Sequence, residues 1–335
     1  MVSLPRSTRA LVTVAALGAL LACGCSPQPA DPREPEGGTR TVEAANGSVE
    51  IPATPQRIAV LWRPTLAAVT LLGHDVVATM GTPGGDDQGL APFLPGDADG
   101  GDLTLVTNSP SEEDVNIEAL ATAAPDLIIG VSTQVGAQAD MLGSLEAIAP
   151  TVLLGWEGTG SWRGHLDEVA DVLDARAEAG DALAGYEEAV ASARGEIGAA
   201  GVDPAATELS LVRLQSESEI RLETPESFPG QVVADLGFAR PDGQQEGDGS
   251  TDFIAQSYEN LDRADGDAVF VMAGSGYPDA PRTFSEGVWA SLDAVRGESV
   301  YRVDHDHWGA ANHYAALRIV EDVRSALTGG SEPAV

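Results

Sequence analysis

The chain has no lysine. All 18 of its basic residues are arginine, set against 52 acidic ones in 335 residues. That excludes Schiff-base chemistry and the phosphate-binding loop that ends in Gly-Lys-Ser/Thr. A formal net charge of −34 also excludes a nucleic-acid partner, because phosphate binding needs concentrated Lys and Arg. The acidity is that of a well-solvated surface. Cysteine is nearly absent: Cys23 and Cys25 are the only copies, so no disulfide can staple the remainder of the chain. Aromatic residues make up 5% of the sequence, and the places where they occur therefore carry information.

Long apolar runs are also missing, apart from one at the start. In "MVSLPRSTRALVTVAALGALLACGC", Arg6 and Arg9 precede an apolar run from Ala10 to Ala22 that falls short of the roughly 20 residues needed to span a bilayer. The segment 1–22 is expected to be an export signal. It ends in "LLAC", which resembles a bacterial lipobox and makes Cys23 the expected site of lipid attachment; Cys25, in "ACGC", is the poorer match. Residues 23–40 are rich in Pro, Gly and charge, as a tether would be.

Taken whole, the chain has the size and 43% hydrophobic content of a large globular protein. Asn46-Gly47 signals a hairpin, and from Ile58 onward helix and strand alternate. "NIEALATAAPDLIIG" is expected to be a helix running into a buried strand, and "PTVLLGW" to be another strand. This alternation implies a parallel sheet with helices on both faces, an α/β lobe over 41–160. Strand signals vanish over 161–203, where helical spacing predicts two helices. The second, about 22 residues long, would reach about 33 Å. Strand and helix then alternate again over 204–330, with strands "ELSLVRLQ", "EIRLET", "DAVFVM" and "SVYRV", helices at "SYENLDRA" and "VWASLDAV", and a last helix over 311–327. The expected fold class is therefore α/β, with two Rossmann-like lobes joined by a long linking helix and a ligand cleft between them.

Three of the five histidines crowd into "VDHDHWGAANH", residues 303–313. His305, His307 and His313 with an Asp could ligate zinc or manganese. His74 and His165, each at an expected helix end, would be solvated. No enzyme motif is complete: there is no Gly-x-Ser-x-Gly, no His-Glu-x-x-His, and "GTGSWRG" only approximates a glycine fingerprint. The chain is accordingly expected not to be an enzyme and to need no cofactor.

The ordered phrases "NGSVEIPATPQRIAVL", "NIEALATAAPDLIIG", "EAIAPTVLL", "SFPGQVVADLGFARP" and "WGAANHYAALRIVEDV", with the long helical stretch between them, resemble the substrate-binding proteins of iron-siderophore and cobalamin ABC importers. The resemblance covers about 41–327. It implies a monomer that performs no chemistry, sits outside the cytoplasmic membrane on its lipid, and delivers ligand to an ABC permease. By the same resemblance Glu118 and Glu259, one in each lobe, would dock into the permease. Arg221, just ahead of "SFPG", would face ligand.

The cleft should open where strands end, which nominates Trp62, Arg63, Trp156, Tyr277, Arg282, Trp289, His307 and Trp308, with Trp308 the foremost contact and His313 structural. Arg163 is a further candidate. Few arginines on a strongly acidic protein suit a neutral or cationic ferric complex, so a hydroxamate siderophore is the expected ligand. A direct zinc or manganese receptor, or a cobalamin or haem receptor of the same architecture, is the alternative.

Overall fold

The described chain opens with a hairpin, β1 (Thr39–Ala44) against β2 (Gly47–Pro52), whose turn holds Asn46. The computed structural model describes residues 38–81, 89–96, 98, 100, 102–107, 115–133, 138–245, 252–273 and 283–335, all within the unit Gly37–Val335. The Asn46 side chain does more than turn the chain. Its amide donates to Thr151 O at 2.9 Å and its oxygen accepts from Leu153 N at 2.9 Å, so the turn seals a strand that comes 100 residues later. Strand β1 starts at Thr39, so the last two residues assigned to the tether belong to the fold; there Arg40 donates to Val172 O.

The first large sheet is wholly parallel. Strands β3 (Ile58–Val60), β4 (Val76–Thr79), β5 (Thr104–Leu105), β6 (Leu127–Ser132) and β7 (Thr151–Gly155) pair in the order β5-β4-β3-β6-β7. Helices α1 (Arg63–Leu71), α2 (Ile117–Ala123) and α3 (Leu142–Glu146) make the crossovers. Leu127, Ile128, Ile129 and Val131 of β6 are all fully buried, as a central strand covered on both faces requires.

Two helices come next, α4 (Trp162–Leu173) and α5 (Arg176–Ala199). At 24 residues α5 is about 36 Å long. Its Tyr186, Val190, Ala193 and Ile197 are buried at helical spacing, and the helix packs against the last one in the chain.

The second sheet is mixed. Strands β8 (Leu209–Leu214), β9 (Glu219–Glu223), β10 (Phe253–Ser257), β11 (Ala268–Met272) and β12 (Val300–Val303) pair in the order β10-β9-β8-β11-β12. Strands β8, β11 and β12 are parallel, while β9 and β10 run antiparallel at one edge. Its helices are α6 (Phe228–Asp235), α7 (Asp293–Arg296), α8 (His305–Trp308) and α9 (His313–Leu327). Ser227 caps α6 by accepting from Gly230 N, with a proline in the first turn. Asn312 caps α9 and also donates to Pro92 O at 3.0 Å, which ties the last helix to the first lobe.

Several expected helices are weaker than their apolar spacing suggests. "SYENLDRA" is a 3-10 segment, Tyr258–Ala264, kinked at Asn260. "VWASLDAV" divides into a 3-10 turn and the single turn of α7. The second lobe also runs past residue 330, since Ala334 accepts from Phe284 N and donates to Val300 O at 2.7 Å each.

One turn pins the lobes together. After β7 the segment Gly158–Ser161 presents Thr159, whose N–H and hydroxyl both donate to Asp252 Oδ2, at 2.8 and 2.6 Å. Gln231 Nε2 donates to Gly160 O at 2.9 Å. The backbones approach so closely that a Cβ on Gly160 would overlap Glu226 O. Gly160→Ala should therefore cost about 1–3 kcal/mol as an overpacking change, read as a lower midpoint in urea unfolding with an unchanged slope.

Candidate functional site

The alternation Glu219-Ile220-Arg221-Leu222-Glu223 in β9 sends Ile220 and Leu222 into the apolar cluster on one face and three charged side chains to the other. The antiparallel register places Arg213 of β8 directly opposite Arg221. Two like charges in that arrangement repel, and the neighbours answer them. Arg213 Nε lies 2.9 Å from Glu223 Oε1, and Arg221 Nε lies 3.3 Å from Glu219 Oε1. The Phe253 ring takes both guanidinium groups, Arg221 at 4.0 Å and Arg213 at 5.1 Å from its centroid.

This face borders a cavity of about 130 Å³ walled by Arg213, Glu223, Asp252, Phe253, Met272 and Trp308, with Thr159 closing it from the inter-lobe turn. It lies at the carboxyl ends of β8 and β11, where ligands collect in α/β sheets. Glu223 is 3% exposed. Burial raises its carboxyl above the usual range, while Arg213, the Ser227 hydroxyl and Arg240 pull the other way and Asp252 adds to the rise. Arg240 is buried behind it, donating to Glu223 O at 2.8 Å.

The first lobe contributes aromatics at the equivalent ends of its strands. Trp62 follows β3 and Trp156 follows β7; both are half-buried and meet edge to face at 5.5 Å. Arg63, also half-buried, opens α1 beside Trp62. His165 stands 5.2 Å behind Trp156, and its Nε2 lies 2.8 Å from Thr65 Oγ1. The expectation of a solvated His165 is wrong: α4 turns it inward, and burial pulls its pKa down to about 4, which keeps the ring neutral.

The histidine-rich stretch forms the single turn α8 and a tight connection to α9. Asp304 caps that turn by accepting from His307 N at 2.9 Å; the His307 ring, 3.1 Å away, is the main reason the Asp304 carboxyl is held at about 2. His307 is part-exposed at the surface, facing Asp304 and not the cavity. His305 turns to Asp306 at 3.1 Å, and His313 is buried as the first residue of α9. The three do not converge. Among the described residues no three His, Cys, Asp or Glu side chains come together to hold a metal.

Trp308 is not the open platform its position suggested. The α8 turn folds it back until it is fully buried, stacked on Phe270 at 5.4 Å, with Nε1 donating to Asp322 at 2.9 Å. It is the cavity's base. Trp289 is likewise core, packed on Phe284 at 4.6 Å in the cluster on the sheet's far face. Arg163 is engaged by Asp235 and lies over Trp162 at 4.3 Å. The larger hollow beside it, about 350 Å³, is lined by α5 residues including Tyr186, with Arg163 and, at the C-terminal end of α6, Asp235, and by no strand residue. Tyr277, Arg282 and Cys23 lie outside the described residues. Glu118 and Glu259 are both exposed, in the first turn of α2 and in the 258–264 segment. Sequence reasoning missed Arg213, Glu223, Asp252 and Phe253; the alternation in β9 was visible, but the strand pairing that gathers them was not.

A family model described as periplasmic binding protein matches residues 89–307, well over half the chain. The chain belongs to that family. It is 30% identical over 327 residues to the probable siderophore-binding lipoprotein YfiY of Bacillus subtilis (strain 168), covering 94% of this chain and 95% of that one. It is 27% identical to the iron(3+)-hydroxamate-binding protein FhuD of the same organism, over 86% and 87%. Its fold matches that of Staphylococcus aureus SirA complexed with staphyloferrin B, with a TM-score of 0.68 at 23% identity, covering 86% and 98% of the two chains. The two-lobed α/β architecture expected from the sequence is thus the family's fold. The ligands named for these proteins differ, so the choice of ligand falls to the site's own chemistry.

Trp308→Ala should lower unfolding free energy by about 3–5 kcal/mol, the cost of emptying a fully buried aromatic position. Chemical denaturation followed by circular dichroism measures it.

Proposed function

We propose that this protein captures a ferric siderophore of the hydroxamate type outside the cytoplasmic membrane and delivers it to an ABC importer. The observation that carries the ligand class is the compensated charge of the β8–β9–β10 face. Arg213 and Arg221 each have a carboxylate partner within 3.3 Å, and Asp252 adds a further negative charge to the cavity. A face so balanced gives an anionic catecholate or citrate complex no net attraction and tolerates a neutral or cationic one. The apolar body of such a ligand would pack against Phe253 and the Trp62–Trp156 pair. The likeness to YfiY supports siderophore capture, and that to the iron-hydroxamate-binding FhuD supports the hydroxamate class.

The protein acts by binding alone, as a monomer without catalysis or cofactor. Cys23 carries the lipid that holds it to the outer face of the membrane, a reading supported by the lipobox and by the lipoprotein name of YfiY. Glu118 and Glu259 dock the permease. Glu118 opens the segment leading to β6 and Glu259 the one leading to β11, and these strands hold the same place in their two sheets. The pair is therefore equivalently placed in the two lobes.

Titrating the mature domain with ferrioxamine B, ferric enterobactin, ferric citrate, cobalamin and haem while following tryptophan fluorescence tests the ligand. Saturable quenching by the hydroxamate at micromolar or lower concentration is expected. Tight binding of citrate or the catecholate with none of the hydroxamate refutes the assignment. Reversing both Glu118 and Glu259 to Arg should cut cellular uptake at least tenfold while quenching in the purified domain persists; undiminished uptake removes the docking role.

A further inference from the structure

We infer that Glu223 sets the charge selectivity of the site: by neutralising Arg213 from beneath, it makes the wall of the second lobe reject anionic ferric complexes and accept uncharged or cationic ones. This rests on the ligand-capture reading above and adds a residue that acts through another. Glu223 is a positioning residue.

The geometry is that of a guanidinium with its counter-charge built in. The side chains of Arg213 and Glu223 are 20% and 5% exposed and both border the cavity, so the guanidinium that a ligand meets has its carboxylate beside it in the same wall, the more deeply buried of the two. Within a poorly solvated wall the pair attracts strongly, and an incoming anion would feel both charges at nearly the same distance. A site shaped to clamp a carboxylate or catecholate would leave the fork of Arg213 to the ligand. Here its Nε lies 2.9 Å from the Glu223 carboxylate, a pairing of charges without the alignment of a hydrogen bond.

The charged and titratable neighbours of Glu223 carry both signs. Arg240, buried on the far side, bonds to the Glu223 backbone oxygen and to Gln244 Oε1, and Gln244 passes the contact to Ser210 Oγ at 2.6 Å. Ser227, at the cap of α6, faces the Glu223 carboxyl, and Asp252 adds a negative charge that Thr159 fixes in place. The exposed counterpart is Glu219, which does for Arg221 at the rim what Glu223 does for Arg213 at depth. Rejection of the wrong ligand is built from like charges set against it, the usual route to specificity.

The test is the ratio of dissociation constants for ferric citrate, an anionic probe, and ferrioxamine B, a cationic one. It is measured by calorimetry on the full mature domain for wild type, Glu223→Gln and Glu219→Gln, at pH 7.5 and 5.5. Glu223→Gln should shift the ratio at least tenfold toward the anion, and Glu219→Gln in the same direction by less. In wild type the ratio should also move toward the anion as pH falls, because burial favours the protonated form of the Glu223 carboxyl. Glu223→Gln should lose that movement, which a merely structural role would not predict. Should Glu223→Gln fail to fold, Glu223→Asp, which draws the carboxylate back from Arg213, replaces it and should shift the ratio in the same direction by less. Unchanged ratios in the folded variants overturn the inference while leaving hydroxamate capture intact; absence of binding by any ferric complex to wild type overturns the capture reading itself.

Discussion

Two arginines set side by side across an antiparallel pairing, Arg213 and Arg221, are the constraint around which the second lobe's end of the site is arranged. Left alone they would repel each other and bury one uncompensated charge. The fold answers with Glu223 at depth, Glu219 at the rim and the Phe253 ring against both. Strand β10, the antiparallel edge, lies in register to supply that ring, and the Gly158–Ser161 turn reaches over from the first lobe to fix Asp252 beside it. A wall rich in guanidinium groups is thereby made electrically balanced.

The first lobe carries different chemistry. Its strand ends carry an edge-to-face tryptophan pair backed by a histidine that burial keeps neutral. Aromatic surface on one side and balanced charge on the other suit a ligand that is bulky, partly apolar and short of negative charge. The linking helix, about 36 Å long, the Asn312–Pro92 bond and the turn at Thr159 hold the two halves in one arrangement, together with an apolar cluster that runs through both.

The architecture was legible because it rests on local signals. The Asn46-Gly47 turn, the apolar runs at Leu127 and Ala268, and the helical spacing through α5 each declared an element, and their alternation declared the fold class. Helices that depended on weak spacing alone, such as "SYENLDRA", came out as 3-10 turns, because a kink at Asn260 costs little where tertiary contacts decide. The site was less legible. Trp62 and Trp156 are legible because each stands within two residues of a strand's end. Trp308 was misplaced because the side chain's direction depends on a single-turn helix that folds it onto Phe270. Arg213 and Glu223 were missed because only strand register makes them partners. A hint was present: Arg213 shares the face of Leu209 and Leu211, so a charge there had to find a counter-charge or a cavity.

A crystal structure of the mature domain with bound ferrioxamine B tests the central claim most directly. The ferric complex should lie between the Phe253 face and the Trp62–Trp156 pair, with no histidine on the iron and with Arg213 still paired to Glu223. Iron held by His305, His307 or His313, or a ligand seated along α5 between Arg163 and Arg194, would contradict the account.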